Sequence, residues 1–455
     1  MVGILYPGVN FTISSPHPMV SFAFKLDEMG LIFTILVSML WIFTSFYAFG
    51  YMEGTKHARR FYGFFIIALG VTVGIGLSAN LITLYMFYEI LTFVTYPLVI
   101  HEGSPEAMRA GRNYLIYSLF GAGLGFVGMF LLSPALNSFS FLPQGQIILG
   151  LVSNGYLQKI FILMFIGFGV KAAIFPLHAW LLGAMVAPTP VSALLHAVAV
   201  VKAGIFALIR IAFYIFGHEV VASLNVTKYL GILITIMIIL GSLLAIGEKN
   251  LKRRLAYSTI AQLGYIMMGL VIFTENSIRG GLLHIINHAF IKISLFFCIG
   301  TIIHMTGKTS LSEIEGIGRR MPITMGCFTV ATFSLMGIPP LNGFVSKSHL
   351  VIGALDGQFI TYAVVLIGGS FLTAVYLLPI MISSLLKEEQ IDNLAVAGSR
   401  GASSNFESDL EQRKNLDPPK SMLIPMILLT IMNFILGIFP NLFLNLINNV
   451  ILSIT

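Results

Sequence analysis

The sequence predicts an all-α polytopic membrane protein with about twelve transmembrane helices. Of its 455 residues, 57% are hydrophobic and only 10% are charged, whereas a soluble domain carries about 25% charged residues. The mean hydropathy is +0.91. The apolar runs are about 20 residues or longer, the length that a helix needs to cross lipid, and they lack the ten-residue alternation of an outer-membrane barrel.

Twelve segments have the length and composition of a membrane span. Their approximate bounds in chain order are 28–50, 61–79, 81–101, 112–135, 157–180, 188–217, 228–247, 251–273, 278–305, 323–355, 359–386 and 420–452. In three of them we expect prolines to interrupt the helix, namely Pro176, Pro188 with Pro190, and Pro339 with Pro340. Because proline removes a backbone donor and clashes with the preceding turn, these segments predict broken helices, which are frequent along transport paths.

The placement of lysine and arginine predicts that both termini lie on the outer side of a cell (inner or cytoplasmic) membrane. With the N-terminus outside, and with residues at the ends of spans counted with the adjoining loop, 17 of the 26 basic residues fall on the inner side, 4 on the outer side and 5 deeper within spans, as the positive-inside rule requires. The net charge of +7 therefore follows topology and does not indicate nucleic-acid binding. The first 27 residues are mixed in polarity and do not read as a cleavable secretory signal.

The spans divide the chain into five parts. Residues 1–60 form an N-terminal segment with the first helix, 61–217 and 228–386 each hold five spans, 387–419 is a polar inner loop, and 420–455 holds the C-terminal helix. Similar breaks occur late in both five-span units, at "FPLHAW" (175–180) and "PPLNGF" (339–344). Because five is odd, the two units would sit inverted relative to each other, which is a transporter architecture.

Ionisable residues near the middle of the spans are the strongest functional signal. They are Glu89, Lys171, Lys202, Lys292 and Lys347. Each costs about 2.5–3.5 kcal/mol at a helix centre, or roughly 12–17 kcal/mol together. Snorkelling explains a cation near a helix end, and we expect it for Arg210, but it does not explain four lysines on four helices. One acid cannot pair with four lysines, so some amines are free to exchange protons, which suits a relay.

A second signal is the stretch "HIINHAFIKISLFF" (284–297), where His284, His288 and Lys292 follow at four-residue intervals. They share one helical stripe over about 12 Å of depth, and histidine titrates near neutrality. Zinc is the weaker alternative, because a zinc site usually takes a third protein ligand and Glu89 is on another helix. We predict no metal site.

Polar residues near the proline breaks support the same path. His178 and His196 lie close to these breaks, and Ser192, Ser294, Thr189 and Asn287 are expected to hold water along the path. His304 and His349 read as packed histidines outside the site. The run "EKNLKRR" (248–254) reads as solvated anchors in an inner loop.

The chain carries no signature of a cofactor or of a catalytic centre of its own. Cys298 and Cys327 are its two cysteines, and an iron–sulfur cluster usually takes four thiolates. CxxC and Walker motifs are absent from the sequence, and its single GxGxxG pattern, at 123–128, lies inside the apolar span 112–135. We therefore expect neither a redox cofactor nor ATP to bind this chain.

In combination these stretches resemble the antiporter-like membrane subunits of the complex I superfamily. That family includes the proton-pumping membrane subunits of NADH–quinone oxidoreductase, subunits of membrane-bound hydrogenases, and subunits of the Mrp cation/proton antiporters. The matching stretches are "YMFYEILTFVTYPLV" (85–99), "KAAIFPLHAWLLGAMVAPTPVSALLHAVAVVKAG" (171–204), "NLKRRLAYSTIAQLGYIMMGL" (250–270), "HIINHAFIKISLFFCIG" (284–300) and "GIPPLNGFVSKSHL" (337–350).

The resemblance implies a role for each buried charge. Glu89 and Lys171 match the family's gating ion pair, and Lys202, 31 residues after Lys171, matches the next relay lysine. His196 matches the link between two half-channels, one in each five-span unit. The second half-channel would use the remaining residues, which are His284, His288, Lys292 and the outlet lysine Lys347. Some complex I members carry glutamate at that last position, and this chain does not.

The resemblance also implies partners. They are other membrane subunits, including further antiporter-like subunits, within the lipid bilayer, and the ion moved is H⁺ and, in some members, Na⁺. The motifs place residues 24–52 at the third of the family's fourteen helices, so we expect the first two to be lacking. A self-sufficient secondary cation/proton antiporter is the alternative, and an inactive membrane scaffold is disfavoured because the whole set of relay residues is present.

Overall fold

A computed structural model describes residues 10–13, 21–387 and 416–454. The first nine helices are α1 (Glu28–Tyr51), α2 (Ala58–Gly76), α3 (Leu81–Val99), α4 (Pro105–Leu132), α5 (Asn154–Gly169), α6 (Ala179–Gly183), α7 (Thr189–Ala197), α8 (Val200–Ile209) and α9 (His218–Ser223). The others are α10 (Thr227–Gly247), α11 (Leu251–Ile272), α12 (Glu275–Thr306), α13 (Pro322–Met336), α14 (Asn342–Asp356), α15 (Ile360–Leu386), α16 (Lys420–Ile438) and α17 (Asn441–Ile454).

The fold is a polytopic helical bundle, as predicted, although the count of twelve spans is not confirmed. Within the described residues, ten helical stretches are long and apolar enough to cross a membrane. The predicted segments 157–180 and 323–355 do not form continuous helices of that length, because both are broken. The inverted relation of the two five-span units stays a prediction, and most of the polar loop 387–419 lies outside the described residues.

Polar side chains fix where several spans begin. Asn80 accepts from the backbone N–H of Thr83 at 2.7 Å and so caps α3, and Ser104 caps α4 in the same way. Asn250 caps α11, and Thr274 forms a capping box at the start of α12. Such caps satisfy backbone donors that a helix leaves free at its N-terminus.

The helices fall into a central group and a peripheral group. The stretch Thr189–Phe216 and helix α12 are buried over their whole apolar windows, and α11 over 94% of its window. The remaining spans are buried over 33–50% and expose apolar side chains on their other faces. A helix that is apolar and covered on all sides belongs to the protein interior, so the central group carries the candidate site.

Two breaks lie where prolines predicted them. After α5 the chain leaves the helical path from Val170 to His178, and Ala173 adopts a positive φ of 54°. The indole N–H of Trp180 donates to the carbonyl of Val170 at 2.9 Å, which satisfies one of the freed groups. The second break separates α13 from α14, where Gly337 has φ 90°.

The prolines Pro188 and Pro190 do not break their helix where we expected. Pro190 lies in the first turn of α7, where the missing backbone donor would have no partner in any case. The break comes later, at Val198 and Ala199, between α7 and α8. Beyond α8 the chain continues as a π-helix, Arg210–Phe216. This break follows His196 and precedes Lys202, so it places both residues at the centre of the molecule.

A short antiparallel hairpin covers one end of the bundle. Its strands are β1 (Asn10–Ile13) and β2 (Phe22–Lys25). The backbone N–H of Lys25 donates to the carbonyl of Leu77 at 2.8 Å, and that of Ala79 to Ala23 at 2.9 Å. The hairpin is therefore tied to the α2–α3 connection, next to the start of α1.

Candidate functional site

The acid and the first lysine lie together, as the sequence analysis expected. The Lys171 ammonium is 3.7 Å from a Glu89 carboxylate oxygen, beyond a normal hydrogen bond of 2.7–3.2 Å. Lys171 is fully buried and donates to the carbonyl of Tyr88, with its ammonium 3.5 Å from the centre of the Tyr88 ring. Glu89 Oε1 makes no hydrogen bond within the described part of the chain. The pair is loose, and its lysine position comes from the non-helical stretch after α5.

Lys202 contacts the histidine file directly. Its ammonium lies 2.7 Å from Nδ1 of His288, and both side chains are buried. A proton can pass between an amine and an imidazole at this separation, because each can donate when protonated and accept when neutral. This contact crosses from α8 to α12, and it therefore joins residues of the two predicted five-span units.

His196 lies at the same level but is not hydrogen-bonded. Its ring is fully buried, packs 4.9 Å from the Phe296 ring, and finds no partner for either nitrogen among the described residues. A buried imidazole without partners is costly unless water satisfies it. His196 thus marks a point where water is expected between α7 and α12.

His284 continues the file from His288. The two ring centroids are 5.9 Å apart. His284 Nδ1 lies 2.9 Å from the hydroxyl of Ser346, and Nε2 lies 3.0 Å from the side-chain oxygen of Gln262. Both ring nitrogens therefore have a polar partner, one on α14 and one on α11.

Lys292 and Lys347 point to different neighbours. Lys292 donates to the Leu255 carbonyl at 3.0 Å and to the Ser258 hydroxyl. Lys347 donates to the Leu335 carbonyl at 2.6 Å, at the end of α13, and its ammonium lies 4.9 Å from the Tyr265 ring. Carbonyls freed at a helix break accept well from a cation, so the proline break before α14 explains the position of Lys347.

One predicted supporting residue stays apart from this group. His178 is half-buried, stacks on Phe175 with ring centroids 5.4 Å apart, and makes no contact with a relay residue in the described structure. Ser192 is buried and donates to the Ala187 carbonyl at 3.1 Å, one turn before His196 on α7. Ser192 is therefore close to His196 along α7, whereas the printed contacts of His178 are with Phe175.

Sequence analysis missed three neighbours of the site on α11. Ser258, Gln262 and Tyr265 contact Lys292, His284 and Lys347 respectively. Their spacing of four and three residues places them on one face of α11. A polar stripe in "YSTIAQLGY" (257–265) was the signal that could have found them.

Two predictions about cations at helix ends were wrong. Arg210 does not snorkel: it is fully buried and makes a two-point ion pair with Asp27, at 2.5 and 2.6 Å. Arg254, expected to be solvated, is 4% exposed and donates to the carbonyls of Glu248, Tyr376 and Ile246. In both cases a nearby acceptor at the helix end holds the guanidinium inside the protein.

A polar pocket opens at the opposite end of the bundle from Asp27. Its volume is about 440 Å³, and its lining comprises Tyr51, Met52, Thr55, Lys56, His57, His101, Glu102, Pro188 and His304. Just beyond it, Lys252 donates to the Ala187 carbonyl at 2.7 Å, which also accepts from Ser192. Polar groups therefore lead from this pocket towards His196.

Comparisons with known proteins show which family this chain belongs to. A family model described as "NADH:quinone oxidoreductase/Mrp antiporter, TM" matches residues 78–373, and one described as "NADH-Ubiquinone oxidoreductase (complex I), chain 5 N-terminus" matches residues 13–62. The NADH-quinone oxidoreductase subunit N of Desulforudis audaxviator is 33% identical over 409 residues, which is 89% of this chain and 79% of that protein.

Longer relatives and a solved structure also match. The chloroplastic NAD(P)H-quinone oxidoreductase subunit 5 of Ipomoea purpurea is 30% identical over 91% of this chain, but only 63% of that protein is covered. A chain in the structure of the Mrp complex from Dietzia sp. DQ12-45-1b aligns with a TM-score of 0.82 and 23% identity, covering 100% of this chain and 89% of that chain. At this level of identity, the similarity between the two chains shows a shared fold.

Proposed function

Because the chain belongs to the NADH:quinone oxidoreductase/Mrp antiporter family of transmembrane proteins, we propose that it moves protons across a membrane as an antiporter-like subunit of a multi-subunit energy-converting complex. The observation that carries this proposal is the 2.7 Å contact between Lys202 and His288. This contact links Lys202 on α8 with the buried protonatable groups on α12, which would otherwise be separate from it.

The Glu89–Lys171 pair is the proposed gate of the relay. At 3.7 Å the carboxylate and the ammonium attract each other without a tight hydrogen bond. When a partner subunit moves charge nearby, the Lys171 ammonium can leave Glu89 while it keeps the Tyr88 carbonyl. A shift of one buried charge changes the free energy of every other buried charge nearby, because the interior screens weakly. Lys202 would feel that shift and release or take up its proton.

From Lys202 the proton passes to His288, then to His284, and then towards Lys347. The step from His288 to His284 covers 5.9 Å between ring centroids, which one water can bridge. Tyr265 packs between the last two groups, with its ring 5.7 Å from that of His284 and 4.9 Å from the Lys347 ammonium. Lys292 lies on the opposite side of His288 from His284 along α12, and its charge would influence the protonation of the histidines.

We place the N-terminus and the Asp27 end on the outer side of the cell membrane, following the positive-inside rule. The 440 Å³ pocket then opens inside, and Lys252, Ser192 and His196 lead from it to the centre. The net direction of transport depends on the driving partner.

The subunit proposal is tested with the whole complex in sealed vesicles. A sodium gradient is imposed, then a membrane potential, and proton movement is followed with a pH-sensitive dye beside ²²Na⁺ uptake. Proton flux that requires Glu89 and Lys202 supports the relay, and flux that persists when both are substituted (Glu89→Gln with Lys202→Ala) refutes it. Purification tests the alternative that the chain works alone. If it purifies as a monodisperse single protein that exchanges cations for protons, it is a self-sufficient antiporter.

A further inference from the structure

A fully buried arginine forms an ion pair above the relay, at the outer end of the bundle. Arg210, the first residue of the π-helix, donates to both carboxylate oxygens of Asp27, at 2.5 and 2.6 Å. The Arg210 side chain is fully buried, and the Asp27 side chain is 27% exposed. Asp27 also caps α1 by accepting from the Gly30 N–H at 2.8 Å. One carboxylate thus fixes the start of α1 to the central helix.

The pair faces titratable and aromatic groups from several elements. The Arg210 guanidinium lies over the rings of Phe141, Phe206 and Tyr214, at 4.8, 4.9 and 4.5 Å. Burial opposes ionisation of Asp27, but the Arg210 charge and its hydrogen bonds, the Gly30 N–H and Lys25 outweigh it, and the pKa of Asp27 lies below its ordinary value. The pair is therefore ionised at neutral pH.

Two aromatic rings separate this pair from the relay. Lys202, Phe206 and Arg210 follow at four-residue intervals along one continuous stretch, so they lie on one side of it. The Phe206 ring packs against the Phe33 ring of α1 with centroids 4.6 Å apart. Arg210 therefore covers this contact from outside, and Lys202 lies beneath it.

The space beneath the two rings is small and apolar. A cavity of about 10 Å³ is lined by Lys202, by the two rings and by Met29, Ile32, Leu36, Leu282 and Ile285. That is about the room for one water, and Lys202 is the single residue with a polar side chain in the lining. A water needs two to four polar partners, so this space does not favour a continuous file of water while the rings are closed.

We propose that Asp27 and Arg210 form a latch that holds the Phe33–Phe206 contact closed, and that this contact keeps outer water and protons away from Lys202. Asp27 and Arg210 are positioning residues: neither carries the transported proton. The inference rests on the proposed function, because it takes Lys202 to be a proton carrier. Without such a barrier, a proton on Lys202 could return to the outer side and dissipate the gradient.

The test measures passive proton leak, which needs no turnover. The whole complex is reconstituted in vesicles, an acid pulse is applied on the Asp27 side, and the rate of internal acidification is recorded. Asp27→Asn is the main variant, since asparagine keeps an oxygen for the Gly30 N–H and removes the charge that holds Arg210. Phe206→Ala opens the barrier while keeping both residues of the ion pair, and Phe213→Ala is the matched control, an aromatic of the following π-helix that packs on His218 and Phe273.

We expect at least a tenfold faster leak in Asp27→Asn and in Phe206→Ala, and no change in Phe213→Ala. Adding Lys202→Met to either leaky variant is expected to return the leak to the wild-type rate. The latch is refuted if Asp27→Asn does not leak, whatever Phe206→Ala does. It is also refuted if the leak persists without Lys202, because the leak would then run through damaged packing. Driven transport, measured in parallel, tests the relay itself. If Lys202→Met loses driven transport and Asp27→Asn shows no leak, the relay stands and only the latch is refuted.

Discussion

The contact between Lys202 and His288 makes a prediction that separates a side-chain relay from a simple water channel. Two substitutions are compared at the same position, His288→Leu and His288→Ala. Leucine removes the imidazole but fills much of its space with apolar atoms. Alanine removes the imidazole and leaves a hole beside the Lys202 ammonium. A proton needs a carrier in that space, and only the second variant leaves room for water to supply one.

The structure sets the expected magnitudes. The 2.7 Å contact and the 5.9 Å ring spacing show that His288 bridges the Lys202 ammonium and the His284 ring, so its removal leaves a gap between them. That gap is too long for one hydrogen bond. A positioned proton-transfer group is worth typically 10²- to 10⁴-fold in rate, so we expect transport in His288→Leu to fall about 100-fold. In His288→Ala, water between two polar ends partly replaces the ring, and a fall of about tenfold is expected.

The assay is initial proton flux into vesicles that contain equal amounts of assembled complex. His349→Leu is the matched control, a histidine of α14 outside the relay, and it is expected to retain wild-type flux. Wild-type flux in His288→Leu would refute the relay. A larger loss in alanine than in leucine would show instead that packing, and not proton transfer, explains the effect.

Three further outcomes follow from the site and its packing. Glu89→Gln should lower driven proton flux at least tenfold while assembly stays normal, and unchanged flux would exclude the gating role. Lys202→Ala should abolish most flux, whereas His284→Ala should have a milder effect because water can take its place; the reverse ranking in the same flux assay would contradict the order of the relay. Gly343→Ala would drive a methyl group into the Ser334 carbonyl oxygen, while Gly326→Ala meets nothing within 4 Å. Gly343→Ala should destabilise the protein by about 1–3 kcal/mol, the range for overpacking, which is measured as a lower melting temperature in detergent. Gly326→Ala should have no effect.

The sequence was enough to identify the buried charged residues as functional candidates, because placing each charge within a membrane span costs free energy. Lys171 and Lys347 were also placed correctly beside helix breaks, since proline cannot continue a helix without losing a hydrogen bond. The break after His196 was not predicted, because it contains no proline or glycine and follows from how α7 and α8 pack in the interior. A rule based on local sequence has no access to such tertiary packing.

The pairing of residues between helices was equally beyond the sequence. The file of His284, His288 and Lys292 reads as one stripe along α12, yet its members contact three different helices. His288 meets Lys202 of α8, His284 meets Ser346 of α14 and Gln262 of α11, and Lys292 meets α11 alone. Residues four apart drift around a helix by about 40°, and over two turns this drift is enough to change the neighbour.

Lys202 and Arg210 show why a buried charge must be judged by its partner. Both are fully covered cations on the same stretch, eight residues apart, and sequence alone gives them the same cost. Arg210 faces a carboxylate in a two-point contact, and a guanidinium does not release its proton in proteins. Lys202 faces an imidazole and no carboxylate among the described residues, and an amine shifts its proton readily when buried. In the proposed mechanism the arginine therefore serves as a fixed support and the lysine as a carrier, and the proposed latch would protect the proton that the relay moves.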